Sequence, residues 1–230
     1  MVYDPRIHHR RSIRLRGYDY AGGGAYFITI CTQDKECLFG RIAESEMILN
    51  EAGGLMQQSW EALPQRFTSL VLDVFQVMPN HLHGVFVLPG PGLHPALAKA
   101  TGARVIQPYE DRRGRACPTL DVGRRDRKGT ASGPPTGNSG GTQGTASRPP
   151  TNERRTSMGD VVGAFKSIST IAVNKLLART GTRLLQENFY EHIVRDVAEL
   201  ESIRDYIIHN PQRWADDPDN PESPTFTGWV

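Results

Sequence analysis

The chain has 230 residues, of which 38% are hydrophobic and 23% charged, and its formal net charge is +2. That length allows one large domain or two small ones, and the modest hydrophobic fraction indicates that part of the chain lies outside a packed core. No apolar run approaches the roughly 18 residues that a membrane span needs, and the N-terminus lacks the apolar segment of a signal peptide. Cys31, Cys37 and Cys117 lack the spacing of a metal site, so we expect reduced thiols in a cytoplasmic protein.

Basic residues concentrate in two stretches of the chain. Residues 1–20 carry five arginines against two aspartates, and residues 91–155 carry twelve basic residues against five acidic ones, which leaves the remainder acidic. A basic arm and a basic insert on an acidic body indicate a polyanionic partner such as nucleic acid. For the insert, a purely solvating role is an equally good interpretation.

The first half of the chain predicts strands around one helix. Residues 25–32 are rich in β-branched and aromatic side chains, as in a strand, and residues 37–49 are expected to add a hairpin. Residues 50–67 repeat large apolar side chains at helical spacing, which predicts an amphipathic helix. Two apolar runs at 70–77 and 81–88 are separated only by Met-Pro-Asn, which predicts a hairpin with the proline in its turn.

The second half begins with a change in composition. Residues 90–156 are dominated by Gly, Pro, Thr, Ser and Arg, and we expect this low-complexity basic insertion to be disordered. A capping-box pattern begins a predicted helix over 157–178, and residues 184–193 predict a loop and a short strand. A second capping box begins a helix over 196–210 that the following proline ends, and the acidic tail at 215–230 is expected to be irregular. Residues 21–89 and 157–214 would then form one α+β domain.

Two histidines stand out in the predicted strand at 81–88. His81 and His83 are two residues apart, and alternate strand side chains point to opposite faces, so both project from the same face. Two neutral imidazoles suit a divalent metal, and a third ligand then completes a site. The alternative is that both are ordinary hydrogen-bonded residues at the start of a strand.

The last predicted helix supplies candidates for the rest of a site. Tyr206 and Asn210 are four residues apart and share a helix face. If that face packs over the strand that carries the histidines, the Asn210 amide oxygen completes a three-ligand metal site and places the Tyr206 hydroxyl beside it. This combination indicates phosphodiester chemistry, in which a metal polarises the scissile phosphate and the phenol attacks, keeping the 5′-phosphate as a phosphotyrosine. A packing role for Tyr206 is the alternative.

Several segments resemble those of the REP-associated tyrosine transposases, which belong to the single-tyrosine HUH endonucleases together with the small single-strand insertion-sequence transposases. The segments that carry the resemblance are Arg10–Leu15, Tyr18–Tyr20, Ala25–Cys31, Met78–Gly84, Phe165–Ser167, Phe189–Arg195 and Tyr206–Pro211. The resemblance covers residues 1–89 and 157–214 and leaves out the insertion and the tail. One departure is Leu185, where family members often have tryptophan.

The resemblance implies a ferredoxin-like antiparallel sheet with helices packed on it and the histidines on a central strand. It also implies Mg²⁺ or Mn²⁺ held by His81, His83 and Asn210, with Tyr206 as the nucleophile. The family cuts and rejoins single-stranded DNA near hairpins or palindromic repeats, and we expect a monomer or homodimer. Tyr190 also lies near a histidine and competes as nucleophile, but the spacing to Asn210 favours Tyr206.

Contacts to DNA are expected from cationic side chains outside that site. In the arm, arginines precede two tyrosines, a mixture that suits phosphate contacts and base stacking. Lys166 lies off the apolar stripe of its helix, where it is free to face a phosphate backbone. The expected DNA-contacting residues are Arg10, Arg11, Arg14, Arg16, Lys166 and Arg195.

The sequence lacks the motifs of two other classes of enzyme. A zinc protease needs His-Glu-x-x-His on a helix, which the sequence lacks. A histidine-triad nucleotide hydrolase needs a third alternating histidine where Val85 stands. A domesticated protein that binds DNA hairpins without cutting them remains the alternative, and it would not need Tyr206.

Overall fold

The computed structural model describes residues 17–101 and 155–223. Their strands are β1 (Gly24–Cys31), β2 (Gly40–Ala43), β3 (Glu46–Leu49), β4 (Val71–Val77), β5 (His81–Leu88) and β6 (Tyr190–Val194). Their α-helices are α1 (Glu51–Glu61), α2 (Leu63–Arg66), α3 (Pro95–Ala100), α4 (Met158–Leu176) and α5 (Val197–Ile208). Short 3₁₀ turns lie at Gln33–Lys35 and Pro211–Asp216.

Four of the strands form one antiparallel sheet in the order β4-β5-β1-β6, and β2 and β3 form a separate hairpin. The chain runs β1-α1-β4-β5-α4-β6 through this sheet, which is the ferredoxin-like connectivity. The predicted α+β fold class is therefore confirmed. Strand β5, which carries the histidines, is an inner strand, so both of its edges are hydrogen-bonded.

The sheet separates two apolar cores because strand side chains alternate between its faces. Leu82 and Phe86 of β5 pack with α1 and α4 on one face. Val85 and Val87 pack with α3 and α5 on the other. The two histidines alternate in register with these valines and so lie on the face that α5 covers.

Gly84 lies among larger residues of β5, and the rings packed against it leave no room for a side chain. A Cβ at this position would lie 2.7 Å from Cη2 of Trp60 and 3.1 Å from Cδ2 of Phe75. The Trp60 and Phe75 rings stack 4.6 Å apart at an interplanar angle of 12°. The close approach of this aromatic pair to the strand backbone requires glycine.

The helices begin and end near the predicted signals, but one predicted helix is divided and one capping box is incomplete. The helix expected over 50–67 is divided into α1 and α2, with Pro64 in the first turn of α2. The capping box of α4 is present in full, since Ser157 and Asp160 exchange side-chain bonds with each other's backbone N–H. At α5, Asp196 accepts from the Glu199 N–H as predicted, but the Glu199 carboxylate accepts from the N–H of Arg195 rather than from that of Asp196.

The segment after β5 corrects the expectation of disorder from residue 90 onward. Helix α3 forms there, with Leu97 buried in the core under α5. The Ala100 carbonyl accepts a hydrogen bond of 3.0 Å from Arg204 of α5. The remainder of the predicted insertion, the arm up to residue 16 and the end of the tail lie outside the described residues, so the domain boundaries stay a prediction.

Among the helices of residues 17–101 and 155–223, none is both long enough and apolar enough to span a membrane.

Candidate metal and tyrosine site

The predicted histidine pair lies at the start of β5, and both rings are buried. Nε2 of His81 is 3.1 Å from Nε2 of His83. Two nitrogens that each lie about 2.1 Å from one ion, at an angle of roughly 90–110°, are separated by about 3.0–3.4 Å. The separation of 3.1 Å falls within this range, and it is also that of a hydrogen bond between the two rings.

Both imidazoles are neutral at physiological pH. Burial and, to a lesser extent, the nearby Lys35 ammonium lower the pKa of His81 to about 3. Burial and the neighbouring His81 hold the pKa of His83 well below its usual value. Neutral imidazole is the form that binds metals.

The outer nitrogen of each ring has a hydrogen-bonding partner. Nδ1 of His83 lies 2.8 Å from Oγ1 of Thr29, the residue paired with it across β1 and β5. Nδ1 of His81 lies 2.9 Å from Oδ1 of Asn80. The Nε2 atoms, which face each other, are consequently the ones left to hold an ion.

Helix α5 brings Tyr206 to this pair. The stripe of Leu200, Ile203 and Ile207 buries the helix against the valine face of β5. The half-buried Tyr206 ring then lies 5.3 Å from the His83 ring, centroid to centroid. The Tyr206 ring therefore packs against the His83 ring, and its role as nucleophile stays a prediction.

Asn210 follows the end of α5 and is 2% exposed. Within the described residues its side-chain oxygen is buried and has no hydrogen-bond partner. A buried acceptor without a partner costs about 1–3 kcal/mol. The amide also hydrogen-bonds Tyr206 and lowers the pKa of that phenol. Asn210 lies beyond the end of α5 rather than on the predicted helix face, yet its amide still contacts Tyr206. Its role as a metal ligand stays a prediction.

The Tyr206 phenol is protonated at neutral pH. Burial and the carboxylate of Asp217 raise its pKa, and the hydrogen bond from Asn210 lowers it by less.

Two carboxylates that the sequence analysis missed lie at the same site. The 3₁₀ turn after α5 carries the chain back past the histidines, where ligand atoms of His81, Asp217 and Asp219 all lie within 4.8 Å of one another. The tail was expected only to be irregular. The signal available was the acidic sequence 216–219, which begins five residues after Pro211.

These carboxylates offer a second way to hold a cation, and the hydrogen bonds of His81 decide against it. Asp219 Oδ2 approaches His81 from its Nδ1 side, at 3.9 Å, and Asn80 already occupies that nitrogen. The other oxygen of Asp219 is paired with Lys35 Nζ at 2.5 Å. With Nδ1 engaged by Asn80, Nε2, which faces His83, is the nitrogen of His81 that remains for an ion.

Lys35 is a buried cation behind the histidine pair. It lies in a turn where two successive residues, Asp34 and Lys35, have φ of 55° and 57°. Its Nζ is 3.0 Å from Sγ of Cys31. Burial and Asp219 raise the pKa of that thiol to about 12, so Cys31 is a protonated thiol.

Tyr190 pairs across β1 and β6 with Thr29, the partner of His83, and the other predicted site residues make contacts of their own. Tyr190, on the edge strand β6, packs against Phe27 at 6.0 Å between ring centroids. The Lys166 ammonium donates to the backbone carbonyls of Gln186 and Glu187. Arg195 is exposed and pairs with Glu199 at 2.8 Å. The arm arginines 10, 11, 14 and 16 lie outside the described residues, and all of these DNA contacts stay predictions.

The fold and the cluster together define a ferredoxin-like α+β protein with a buried histidine pair, a tyrosine and an unsatisfied amide at one end of the sheet. No family model matches the chain. An uncharacterized protein of Haemophilus influenzae (strain ATCC 51907 / DSM 11121 / KW20 / Rd) is 33% identical over 218 residues, which cover 94% of this chain and 95% of that protein. The chain belongs to the same family as this Haemophilus protein.

A solved structure of a REP-associated tyrosine transposase bound to a REP hairpin is also similar. It has a TM-score of 0.46 and 15% sequence identity, and the match covers 89% of this chain and 79% of that chain. A likeness of this size does not bear on activity.

Proposed function

We propose that the protein is a metal-dependent endonuclease and transposase that cuts and rejoins single-stranded DNA near hairpins or palindromic repeats. The reaction would pass through a 5′-phosphotyrosine on Tyr206. The observation that carries this proposal is the convergence of His81, His83 and Tyr206 with a buried amide oxygen that lacks a partner.

The residues present fit a divalent cation. His81 and His83 would hold it through Nε2, and Asn210 through its amide oxygen, in agreement with the neutral state of both rings. We propose Mn²⁺ or Mg²⁺ as the ion; Mg²⁺ prefers oxygen ligands and would keep several waters beside the two imidazoles. Such an ion, when bound, polarises the scissile phosphate and offsets the charge that develops on it.

The chain's own groups account for the covalent step. The Tyr206 phenol oxygen attacks the phosphorus, the new bond joins this oxygen to the 5′-phosphate, and the bond to the 3′-oxygen breaks. The phenol loses its proton and the departing 3′-oxygen gains one. Phenolate is a better leaving group than an alkoxide, so the returning 3′-hydroxyl can reverse the step and rejoin the strand. The Asn210 amide holds the phenol toward the histidines.

The test is a covalent adduct. We expect purified protein with Mg²⁺ or Mn²⁺ to nick a single-stranded hairpin oligonucleotide and to carry the labelled downstream fragment through a denaturing gel. Tyr206→Phe should abolish the adduct, because this substitution removes the attacking oxygen and keeps the ring. Tyr190→Phe is the matched control and should retain it. An unchanged adduct in Tyr206→Phe would refute the assignment of the nucleophile.

A non-cleaving hairpin-binding protein is the second candidate, and the basic composition of residues 1–20 favours it as much as it favours the enzyme. Such a protein would bind the same oligonucleotide but form no adduct with either metal. Its affinity would also be unaffected by Tyr206→Phe.

A further inference from the structure

We infer that Asn80 is a positioning residue that fixes the tautomer of His81, whereas Thr29 allows the tautomer of His83 to change when a metal binds. The inference rests on the metal site proposed above and adds residues that the site prediction did not contain. It follows from the hydrogen bonds behind the two rings.

The orientation of the Asn80 side chain is fixed by two backbone carbonyls. Asn80 is fully buried, and its Nδ2 donates to the carbonyl of Lys35 at 3.1 Å and to that of Asp219 at 2.6 Å. Carbonyl oxygens only accept hydrogen bonds, so the reversed amide would place three acceptors together. The Asn80 side-chain oxygen must therefore be the atom that faces His81.

This orientation determines which nitrogen of His81 carries the proton. The Asn80 oxygen, 2.9 Å from Nδ1 of His81, can only accept, so Nδ1 is the protonated nitrogen. Because the ring is neutral, its Nε2 then carries a lone pair directed at His83. The two backbone carbonyls thus preset His81 as a ligand before any ion arrives.

His83 is held differently, since a hydroxyl can donate or accept. Thr29 Oγ1 is 2.8 Å from Nδ1 of His83. Without an ion, Nε2 of His83 must carry the proton in order to donate across the 3.1 Å to His81, and the Thr29 hydroxyl donates to Nδ1. With an ion between the rings, the proton of His83 moves to Nδ1 and Thr29 accepts it. The pair neither gains nor loses a proton in this change.

The two tautomers can be read directly in the full-length protein. We expect long-range ¹H–¹⁵N spectra of ¹⁵N-histidine-labelled, metal-free protein to show Nδ1–H for His81 and Nε2–H for His83. Titration with Mg²⁺ should convert His83 to Nδ1–H and leave His81 unchanged. An Nε2–H tautomer at His81 in the metal-free protein would overturn the inference, as would a metal-induced switch at His81.

Asn80→Ala tests the role of the amide, and Asn174→Ala is its matched control. Asn174 is also buried and also donates to a backbone carbonyl, that of Thr182 at 2.6 Å, but it lies near the end of α4. Loss of an outer partner of a metal-binding histidine typically weakens affinity about 10–100-fold. We expect Asn80→Ala to show this loss of Mn²⁺ affinity by calorimetry and to have mixed tautomers at His81. Asn174→Ala should show neither change.

An Mn²⁺ affinity of Asn80→Ala within about twofold of the parent, together with an unchanged His81 spectrum, would contradict the role. If this variant does not fold, the spectrum of the unmodified protein decides the question alone. Absence of DNA cleavage in a protein with the expected tautomers and metal affinity would refute the proposed reaction and leave this inference intact.

Discussion

At the scale of single residues, the site depends on side chains that the surrounding sequence holds in one arrangement. The buried Asn210 oxygen has no hydrogen-bond partner in the part of the chain that is described, and the Tyr206 phenol is kept protonated by burial and by Asp217. A protonated phenol is the ordinary state of tyrosine at neutral pH, whereas the buried oxygen without a partner is costly for folding. Residues that break local rules in this way are typical of functional sites.

Two glycines provide a matched test of the packing beneath the site. Gly84→Ala should lower the free energy of unfolding by about 1–3 kcal/mol, because the added methyl group overpacks the Trp60 ring. Gly163→Ala, in the interior of α4, meets nothing within 4 Å. It should raise the free energy of unfolding by about 0.5–1 kcal/mol through helix propensity. Chemical denaturation of both variants measures the difference, and equal effects would contradict the packing account.

At the scale of elements, a buried ion pair joins α5 to the sheet. Arg204 of α5 donates to both oxygens of Asp73 of β4, and the two side chains are 3% and 0% exposed. The same guanidinium donates to Glu201, whose side chain is 50% exposed. Through Arg204, the helix that carries Tyr206 is tied to the edge strand and to α3.

Removal of an acidic partner of Arg204 should lower the free energy of unfolding strongly only if that partner is buried. Asp73→Ala leaves the Arg204 charge buried without its partner and should cost about 3–5 kcal/mol of unfolding free energy. Glu201→Ala, on the solvent side of the same arginine, should cost less than about 1 kcal/mol. Urea denaturation of the two variants gives the comparison. A small effect of Asp73→Ala would show that α5 is held mainly by its apolar stripe.

The start of α5 also predicts a pH dependence of stability. Burial alone would raise the pKa of Glu199, but hydrogen bonds from Arg195 and His192 outweigh it and hold the pKa at about 2. A depressed carboxyl pKa adds stability above the unfolded-state value of about 4.3, and this stability is lost as the pH falls toward the folded value. We expect the unfolding free energy to fall more steeply between about pH 4.3 and 2 in the parent protein than in Glu199→Gln. Parallel curves would contradict the assignment.

At the scale of the whole molecule, local signals predicted the elements well. The capping pattern at Ser157, the proline turn before His81 and the proline after Asn210 each correspond to a boundary that is present. Periodicity also placed both histidines on one face. Such signals depend on neighbours within a few residues, which the sequence displays directly.

The features that the sequence did not reveal depend on contacts between distant segments. Helix α3 is stabilised by Leu97 under α5 and by the bond from Arg204 to Ala100, and neither partner is near it in sequence. Asp217 and Asp219 reach the histidines only because the chain turns back after α5. The acidic sequence 216–219 marked possible ligands, but it did not indicate that the chain returns to the histidines.

Because α3 packs under α5, the effect of deleting the insertion should depend on whether α3 is retained. Replacement of residues 104–150 by a short Gly/Ser linker should leave the fold intact, because the closure entropy of a loop grows slowly with its length. Extension of the deletion to residues 95–150 should destabilise the protein, since it removes Leu97 and the carbonyl that Arg204 contacts. Thermal unfolding monitored by circular dichroism compares the two. Loss of the fold in the shorter deletion would refute the insertion boundary.

The central claim is that one ion lies between the histidine pair and the end of α5. Crystals of the full-length protein soaked in Mn²⁺, with data collected for anomalous scattering, locate the ion directly. We predict a single peak about 2.0–2.3 Å from Nε2 of His81, Nε2 of His83 and the side-chain oxygen of Asn210. A peak on the carboxylates of Asp217 and Asp219, with the Asn210 oxygen still without a ligand, would contradict it.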